Sequence, residues 1–455
     1  MLRRQSTGAP EAGFGARRFQ VYTLRDLDRI AALSRMPDEL HFEMKVVASV
    51  LPFRVNDYVI DSLIDWDKAP EDPVFQLSFP QKGMLDPADF DRMADLFHAG
   101  ADAREIQAAA QEIRNHLNPH PADQLRLNVP LDENGERLEG LQHKYRETVL
   151  FFPSQGQTCH TYCSFCFRWA QFIGDKALRM ASTEAAALHR YLRNHRGVTD
   201  LLVTGGDPMV MKARRLAAYL EPLLEPAFDH IQSIRIGTKA LSFWPHRFVT
   251  DEDADELLRL LERLSGAGKH IALMAHYNHW RELDTDIARE AIRRLRSTGA
   301  EIRSQGPLLA HINDSGETWA RLWQTQVKAG IIPYYMFVER DTGAHRYFEV
   351  PLAKAWRVYR EAMQQVSGLG RTARGPSMSA GPGKVEIQGV TEINGEKVFV
   401  LRFIQSRNPD WVQRPFFARY DESATWLDQL RPALGEERFF FEDEYQAFCA
   451  ERQGG

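Results

Sequence analysis

Three of the chain's four cysteines lie in one short stretch, with the spacing Cys159-x-x-x-Cys163-x-x-Cys166. Three thiolates from one loop can hold a 4Fe-4S cluster and leave one of its irons without a protein ligand. S-adenosylmethionine can chelate that open iron through its amino and carboxylate groups, and an electron from the cluster then splits its sulfonium to give a 5'-deoxyadenosyl radical. The spacing therefore predicts a radical S-adenosylmethionine enzyme.

A structural zinc site is the main alternative for these cysteines, and it would require a fourth cysteine or histidine ligand. His160, inside the loop, is the one nearby candidate, because Cys449 lies alone near the carboxyl terminus. We therefore expect the cluster and no zinc. A noncatalytic, zinc-binding interaction protein is the alternative outside enzymes.

The residues around and after the cysteines follow a β-α pattern. From about Tyr145 onward, short apolar runs alternate with longer amphipathic ones, which is typical of repeated β-α units around a parallel sheet. Six strands are predicted, at residues 148–152, 200–204, 233–237, 271–275, 301–305 and 332–338. Six units are too few for a closed eight-stranded barrel. We therefore expect an α/β fold with a partial (β/α)6 barrel and an active site at the carboxyl ends of its strands.

Other parts of the chain flank this barrel. The pattern predicts a flexible tail at residues 1–20, an N-terminal helical region at 21–143, the partial barrel at 144–368 and a small C-terminal extension with oligomerisation elements at 369–455. The formal net charge is only −5, and the longest apolar runs are far too short to span a bilayer. We therefore expect a cytoplasmic protein without nucleic-acid or membrane partners.

Polar residues or glycines follow the predicted strands at the edge where a ligand would bind. They are Gly205-Gly206-Asp207, Thr238-Lys239, His276-Tyr277-Asn278-His279, Gln305 and Glu339-Arg340-Asp341. A Gly-Gly-Asp sequence by itself is also a common tight turn. Directly after an apolar strand, it is well placed to expose backbone groups to a ligand.

Six segments taken together resemble the lysine 2,3-aminomutase family of radical enzymes. They are HKYRETVLFFPSQGQTCHTYCSFCFR, LLVTGGDPM, IRIGTKA, HYNH, RSQGPLLAHIND and SAGPGK. The resemblance covers roughly residues 24–402 and keeps the family's order of motifs. It implies that Gly205, Gly206, Asp207 and His276 bind S-adenosylmethionine.

The resemblance also implies a second cofactor, pyridoxal 5'-phosphate, bound at Lys384 in the segment SAGPGK. Glycine and proline keep bulky side chains away from an approaching ring, and a desolvated lysine loses its proton readily enough to form a Schiff base. A solvated loop lysine is the alternative. The resemblance adds Lys144, Lys239 and Gln305 to this cofactor's site, although Thr148 stands where relatives carry another arginine.

Three residues are implied to hold the substrate. Arg168 matches the arginine that grips the α-carboxylate in relatives, which a guanidinium can do through two parallel hydrogen bonds. Gapless matching back from Lys384 places Arg340 and Ser377 where lysine-specific relatives carry the aspartates that bind the distal ammonium. This change predicts an acidic substrate, glutamate. A one-residue slip would instead bring Asp341 into the pocket and restore lysine or arginine.

The reaction that the family implies is migration of the amino group from carbon two to carbon three, which gives a β-amino acid. The deoxyadenosyl radical removes a β-hydrogen, and nitrogen moves through a three-membered ring formed on the pyridoxal imine. The same cofactors could instead serve elimination, decarboxylation or epimerisation of an acidic amino acid. The family also implies an external electron donor, such as flavodoxin or ferredoxin, and a homo-oligomer.

Overall fold

The computed structural model describes residues 13–174, 181–182 and 185–452. Residues 1–12 of the predicted tail lie outside the described residues. Later in that segment, Arg17 donates a hydrogen bond to Asp57 at 2.5 Å, and the ring of Phe19 packs edge-on against Trp244 with centroids 4.7 Å apart. These contacts hold residues 17–19 against the folded chain.

The N-terminal region is mainly helical and contains a two-stranded antiparallel ribbon. The ribbon pairs β1 (Val21–Thr23) with β2 (Arg54–Asn56). The helices are α1 (Asp38–Val50), α2 (Pro73–Ser78), α3 (Pro87–His98), α4 (Ala103–His116) and α5 (Gln124–Asn128). Helix α4 begins after Asp102, whose side chain accepts hydrogen bonds from the backbone N–H groups of Arg104 and Glu105. Apolar side chains of α1, α3 and α4 share one core.

An eleven-stranded sheet lies at the centre of the molecule. Its strands are β3 (Leu141–Tyr145), β4 (Thr148–Phe151), β5 (Asp200–Val203), β6 (Ser233–Thr238), β7 (His270–His276), β8 (Glu301–Leu308), β9 (Ile332–Val338), β10 (Arg374–Ser379), β11 (Gly383–Ile393), β12 (Glu396–Ser406) and β13 (Pro415–Arg419). They lie side by side in chain order. Strands β4 to β9 are mutually parallel, which confirms the six predicted strands.

Helices connect the parallel strands. They are α6 (Ala185–Asn194), α7 (Ala213–Leu220), α8 (Ala240–Phe243), α9 (Ala254–Gly266), α10 (Asp286–Ser297), α11 (Gly316–Ala329), α12 (His345–Phe348) and α13 (Leu352–Gln364). Crossovers between parallel strands are right-handed, so strands in chain order place the connecting helices on one face of the sheet. In β5 and β6 every second residue is buried. Thr148 of β4 and Arg235 of β6 both donate hydrogen bonds to Asp200 of β5.

The sheet continues beyond the parallel strands into the C-terminal region. Strand β10 lies parallel to β9, and β11, β12 and β13 then follow in antiparallel order. Helix α14 (Glu442–Glu451) lies close to the end of the described chain. Within the described residues, no helix has both the length and the apolar character that a bilayer crossing requires.

Candidate active site

The cysteine loop follows β4 and is held by the N-terminal ribbon. The carbonyl of Arg54 in β2 accepts a hydrogen bond from the backbone N–H of Tyr162 at 2.8 Å. The side-chain amide of the fully buried Asn56 donates to the carbonyl of His160 at 3.3 Å. Strand β2, which lies about a hundred residues earlier in the chain, therefore fixes the loop that carries all three clustered cysteines.

Gly205 and Gly206 bring the turn after β5 against this loop. A Cβ at Gly206 would lie 2.5 Å from the backbone nitrogen of Thr158, and one at Gly205 would lie 2.1 Å from the side chain of Gln157. Gly205 also has a φ of +141°, which favours glycine. Gly206 is thus required by close packing on the backbone of the cysteine loop, and Gly205 is favoured by its backbone conformation. Their role toward S-adenosylmethionine stays a prediction.

Asp207 joins two loops at the carboxyl edge of the sheet, the loop after β5 and the loop after β6. Its buried carboxylate accepts hydrogen bonds from the hydroxyl of Thr238 and from the backbone N–H groups of Lys239 and Met209, each at 2.9 Å. Burial raises its pKa to about 6, although these hydrogen bonds oppose the shift. The carboxylate orders the loops beside the cysteines.

Lys239 is bound to a carboxylate. Its ammonium donates to Glu282 Oε1 at 2.5 Å and to Asn278 Oδ1 at 2.9 Å, and the Glu282 side chain is fully buried. Glu282 also accepts from the backbone N–H of His279 at 2.8 Å. The charge of Lys239 is therefore already compensated within the protein, and its predicted contact with a phosphate stays a prediction. Sequence reasoning missed Glu282, although the spacing His279-x-x-Glu282 is a capping box.

Lys384 lies near the start of β11 above two aromatic rings. Its Nζ is 4.2 Å from the ring centroid of Tyr335 and 5.2 Å from that of Phe337, both on β9. Burial, and then the positive charges of Arg235 and Arg374, lower the pKa of Lys384 to about 7. A large share of this amine is therefore unprotonated near neutral pH, as a Schiff-base lysine requires. Sequence reasoning missed the two aromatic residues, which lie within an apolar run.

Lys144 and Lys384 lie in the same strongly positive environment. The ammonium of Lys144 donates to the carbonyl of Ala380 at 2.5 Å. Burial, and then the charges of Arg407, Arg340 and Lys384, hold the pKa of Lys144 well below its usual value. A phosphate dianion placed here would neutralise this excess of positive charge. Sequence reasoning missed Arg407.

Gln305 and Ser377 lie on the strands next to these rings. Gln305 of β8 is in register with Tyr335 and, on its other side, with His276 at the end of β7. Ser377 of β10 is in register with Phe337. The Ser377 hydroxyl is fully buried and donates to the carbonyl of Met336 at 3.5 Å. The predicted cofactor and substrate residues Gln305, Ser377 and Lys384 thus lie within four successive strands of the sheet, β8 to β11.

Arg168 and Arg340 are two half-buried arginines whose guanidinium groups lie near the same aromatic ring. Their Cζ atoms lie 5.0 and 5.7 Å, respectively, from the ring centroid of Phe167. The pKa of Arg168 is lowered to about 10, mainly by burial, and the charge of Arg340 acts in the same direction. Among the described residues neither arginine forms a salt bridge, and Arg168 Nη1 and Arg340 Nε are buried without a hydrogen-bond partner. Such an arrangement suits anionic ligands.

The two acidic residues next to Arg340 have different surroundings. The carboxylate of Asp341 accepts a hydrogen bond from the side chain of Asn118 at 3.1 Å, so it faces the N-terminal region. Glu339 is buried, and its Oε1 has no hydrogen-bond partner in the described part of the chain. Burial holds the pKa of Glu339 well above its usual value. The sequence places Glu339 among the polar residues that follow the strands, but it gives no role to this side chain.

The residues present fit an iron–sulfur cluster with a polar cofactor beside it. Across the described ranges, no three Cys, His, Asp or Glu side chains converge closely enough to hold a single metal ion. In a 4Fe-4S cluster each thiolate binds a different iron, so its ligands stand further apart than those of zinc. Six of the polar atoms that are buried and unpartnered among the described residues belong to the cysteine loop or to residues that follow the strands at the same edge, where a ligand site is expected. They are Gln157 Oε1, His160 Nδ1, Arg168 Nη1, His276 Nε2, Glu339 Oε1 and Arg340 Nε.

Curated relatives match the chain over much of its length, although no family model matches it. An Aquifex aeolicus protein named "Putative L-lysine 2,3-aminomutase" is 29% identical over 409 residues, which is 89% of this chain and 94% of that protein. The L-lysine 2,3-aminomutase of Escherichia coli is 30% identical over 243 residues, or 52% of this chain and 66% of that protein. The Bacillus subtilis L-lysine 2,3-aminomutase is 24% identical over 385 residues, or 84% and 71%.

Solved structures match more weakly. Streptococcus suis SuiB bound to S-adenosylmethionine is 15% identical with a TM-score of 0.34, covering 60% of this chain and 58% of that chain. A radical SAM methyltransferase from Sphaerobacter thermophilus is 13% identical with a TM-score of 0.35, covering 62% and 91%. Because these scores are low, the similarity to solved structures supports neither a fold nor a function.

Proposed function

The chain belongs to the lysine 2,3-aminomutase family of radical S-adenosylmethionine enzymes, and we propose that its substrate is an acidic amino acid, glutamate. In this proposal the amino group moves from carbon two to carbon three and gives 3-aminoglutarate. Family membership implies a 4Fe-4S cluster at Cys159, Cys163 and Cys166, S-adenosylmethionine beside it, and pyridoxal phosphate at Lys384.

We infer that the parallel strands form a partial barrel around these groups. Lys144 at the end of β3 contacts Ala380 after β10, although six strands lie between them in the sheet. In a flat sheet, seven steps between neighbouring strands would separate the two by roughly 34 Å. Curvature of the sheet accounts for the contact. It also supports the inference that the polar face of the sheet lines the inside of the barrel.

The observation that carries the proposed substrate is the pair of half-buried guanidinium groups, Arg168 and Arg340. Each lacks a salt bridge in the described part of the chain, and together they repel. A dicarboxylic amino acid supplies one carboxylate for each. The neighbouring Glu339 does not oppose this, because burial favours its protonated form, which donates a hydrogen bond to a carboxylate instead of repelling it.

Each protein group then has a limited task. When bound at the cysteine loop, the cluster and S-adenosylmethionine would supply the radical, and pyridoxal phosphate held at Lys384 would supply a π-system that assists migration of nitrogen. Lys384 offers the unprotonated amine that attaches pyridoxal phosphate, and Tyr335 and Phe337 exclude water from it. Arg168 holds the α-carboxylate next to the cysteine loop. Arg340 binds the distal carboxylate and so fixes which hydrogen faces the radical source.

Partners outside the chain belong to the proposal as well. The cluster needs an external one-electron donor of the flavodoxin or ferredoxin kind. Cys163 and Cys166 also line a crevice whose other wall is formed by α1 and the segment after it, including Val47 and Phe53. We infer that electrons enter from this side. A homo-oligomer and a cytoplasmic location stay predictions.

The test is an anaerobic assay of the reconstituted enzyme with reductant, S-adenosylmethionine and pyridoxal phosphate. Isotope-labelled glutamate, aspartate, lysine and arginine are supplied separately, and products are identified by mass and NMR. We expect a product isomeric with glutamate that depends on both cofactors. Aspartate would show no net change, because moving its nitrogen to carbon three regenerates aspartate. Turnover of lysine with no reaction on any acidic amino acid would defeat the proposal.

A second reaction on the same substrate is distinguished by the same assay. Loss of carbon dioxide, ammonia or water changes the product mass, whereas epimerisation changes only its chirality. Any of these outcomes would keep the acidic substrate and replace the migration step.

A further inference from the structure

The loop of residues 380–382 joins β10 to β11, and Lys384 is the second residue of β11. One arginine binds two successive peptide groups of this loop. The side chain of Arg407 donates from Nε to the carbonyl of Gly381 at 2.9 Å, and its backbone N–H donates to the carbonyl of Pro382 at 3.1 Å. The direction in which Lys384 leaves the loop is therefore set in part by Arg407.

The remaining donors of Arg407 connect this loop to a distant part of the chain. Its Nη2 donates to the side chain of Asn128 at 2.6 Å and its Nη1 to the carbonyl of Leu127 at 3.3 Å, at the end of α5. On the other side, Lys144 holds the carbonyl of Ala380. Two cations thus fix neighbouring carbonyls of the loop, and Arg407 also joins it to the N-terminal region.

Helix α14 covers Arg407 and the loop. The guanidinium Cζ of Arg407 lies 4.7 Å from the ring centroid of Phe448. The hydroxyl of Tyr445 contacts Gly381 so closely that a Cβ at that glycine would lie 2.1 Å from it. The helix therefore contacts the loop directly and also through Arg407.

The attachment of α14 uses partly buried side chains and polar contacts. Glu444 accepts hydrogen bonds from the side chains of Asn408 at 2.8 Å and Trp411 at 3.0 Å. No residue of the helix is fully buried. Because an element with little buried apolar surface detaches at low free-energy cost, α14 can release the loop without unfolding the sheet.

We propose that Arg407 and α14 form a latch that positions Lys384 and retains pyridoxal phosphate there. Arg407 is a positioning residue, and the inference rests on the proposed role of Lys384. When α14 is seated, the peptide groups before Lys384 are fixed and its side chain points over the rings of β9. When α14 detaches, the loop gains freedom, and the bound cofactor escapes faster.

The first test compares pyridoxal phosphate binding by the wild type, Arg407→Met and Arg407→Lys in the full-length chain. Absorbance titration gives the dissociation constant, and borohydride reduction with peptide mapping gives the fraction attached at Lys384. Loss of charged hydrogen bonds should weaken binding roughly 10- to 100-fold in Arg407→Met. Arg407→Lys should recover part of this loss, because one donor remains. Arg419→Met, which removes an exposed arginine of β13 in the same domain, should match the wild type.

The second test uses Phe448→Ala, which leaves every hydrogen bond of Arg407 in place but removes the ring that covers it. It should increase the dissociation rate of pyridoxal phosphate while iron content and cleavage of S-adenosylmethionine without substrate stay at wild-type levels. Because it leaves the Arg407 side chain intact, it also serves if Arg407→Met fails to fold.

The outcomes separate the latch from the proposed function. A wild type that attaches no pyridoxal phosphate at Lys384 overturns both. A wild type that attaches it, together with Arg407→Met or Phe448→Ala variants of equal affinity and dissociation rate, overturns the latch alone. A lower melting temperature with unchanged cofactor binding would mark Arg407 as merely structural and would also overturn it.

Discussion

The ammonium of Lys239 is bound to the fully buried carboxylate of Glu282, next to the cysteine loop. Backbone N–H groups of the loop after β7 bind the same carboxylate. This ion pair joins the loops after β6 and β7. It therefore holds these two loops in place before any cofactor is bound.

Removal of Lys239 should therefore destabilise the protein. Lys239→Met leaves Glu282 buried without its counter-charge, which costs about 3 to 5 kcal/mol. Denaturant titration of the cofactor-free protein measures this loss. Lys354→Met breaks an exposed ion pair with Asp314 and should cost less than about 1 kcal/mol. Equal losses in the two variants would contradict the structural role of Lys239.

Arg340 should determine turnover of glutamate. Arg340→Ala leaves a substrate carboxylate unpaired in a buried site, at a cost of about 3 to 5 kcal/mol. Catalytic efficiency should fall by roughly two to three and a half decades. Steady-state kinetics on glutamate check this, with the exposed Arg346→Ala of the following segment as control. Normal processing of glutamate by Arg340→Ala would refute the assignment.

Attachment of pyridoxal phosphate should depend on pH around neutrality. The pKa of Lys384 is lowered to about 7, first by burial and then by Arg235 and Arg374. Since only the unprotonated amine reacts, the rate should rise from about pH 6 to 8 and level off above, whereas an exposed lysine titrates near 10.4. Stopped-flow absorbance measures the profile. Arg374→Met removes a like charge, raises the pKa of Lys384 and should move the plateau to higher pH. A rate that climbs steadily to pH 10 in the wild type would contradict this.

The three clustered cysteines should be needed for cofactor cleavage. Alanine at Cys159, Cys163 or Cys166 should abolish iron-dependent formation of 5'-deoxyadenosine, because each thiolate holds one iron. Cys449→Ala should leave iron, sulfide and cleavage unchanged. Full cleavage by a folded variant of any of the three would remove the basis of the proposed chemistry.

Gly206 should be required for cluster assembly. A Cβ at this position collides with the backbone of Thr158, so Gly206→Ala displaces the cysteine loop and costs about 1 to 3 kcal/mol. Iron content after reconstitution and thermal unfolding should both fall. At Gly266, in α9, a Cβ meets nothing within 4 Å, and Gly266→Ala should leave both unchanged. Full iron content in Gly206→Ala would argue against the close packing.

The strands could be predicted from the sequence because each is a short apolar run between turn residues. The carboxyl ends of parallel strands meet at one edge, so the residues after them could also be expected to lie near one another. The partners of individual charged side chains could not be predicted from the sequence. Lys144 binds a carbonyl 236 residues away, and Lys239 binds an acid 43 residues away. Such pairs depend on the path of the whole chain.

In the sequence, a one-residue slip of the alignment would bring Asp341 into the pocket. The sequence alone does not show which way the Asp341 side chain points. Its hydrogen bond to Asn118 depends on the position of the N-terminal region. The role of Arg407 could not be predicted from the sequence either, because nothing near a single arginine after a strand indicates which loop it binds.

The contact between Lys144 and Ala380 has a consequence for how the protein folds. It joins an edge strand to a loop that the chain reaches 236 residues later. Contacts of such long sequence separation form late, after the entropy of closing the intervening chain has been lost. The pocket around Lys384 is therefore completed near the end of folding, and a nascent chain acquires the ability to capture its organic cofactor only once its C-terminal strands have been synthesised and docked.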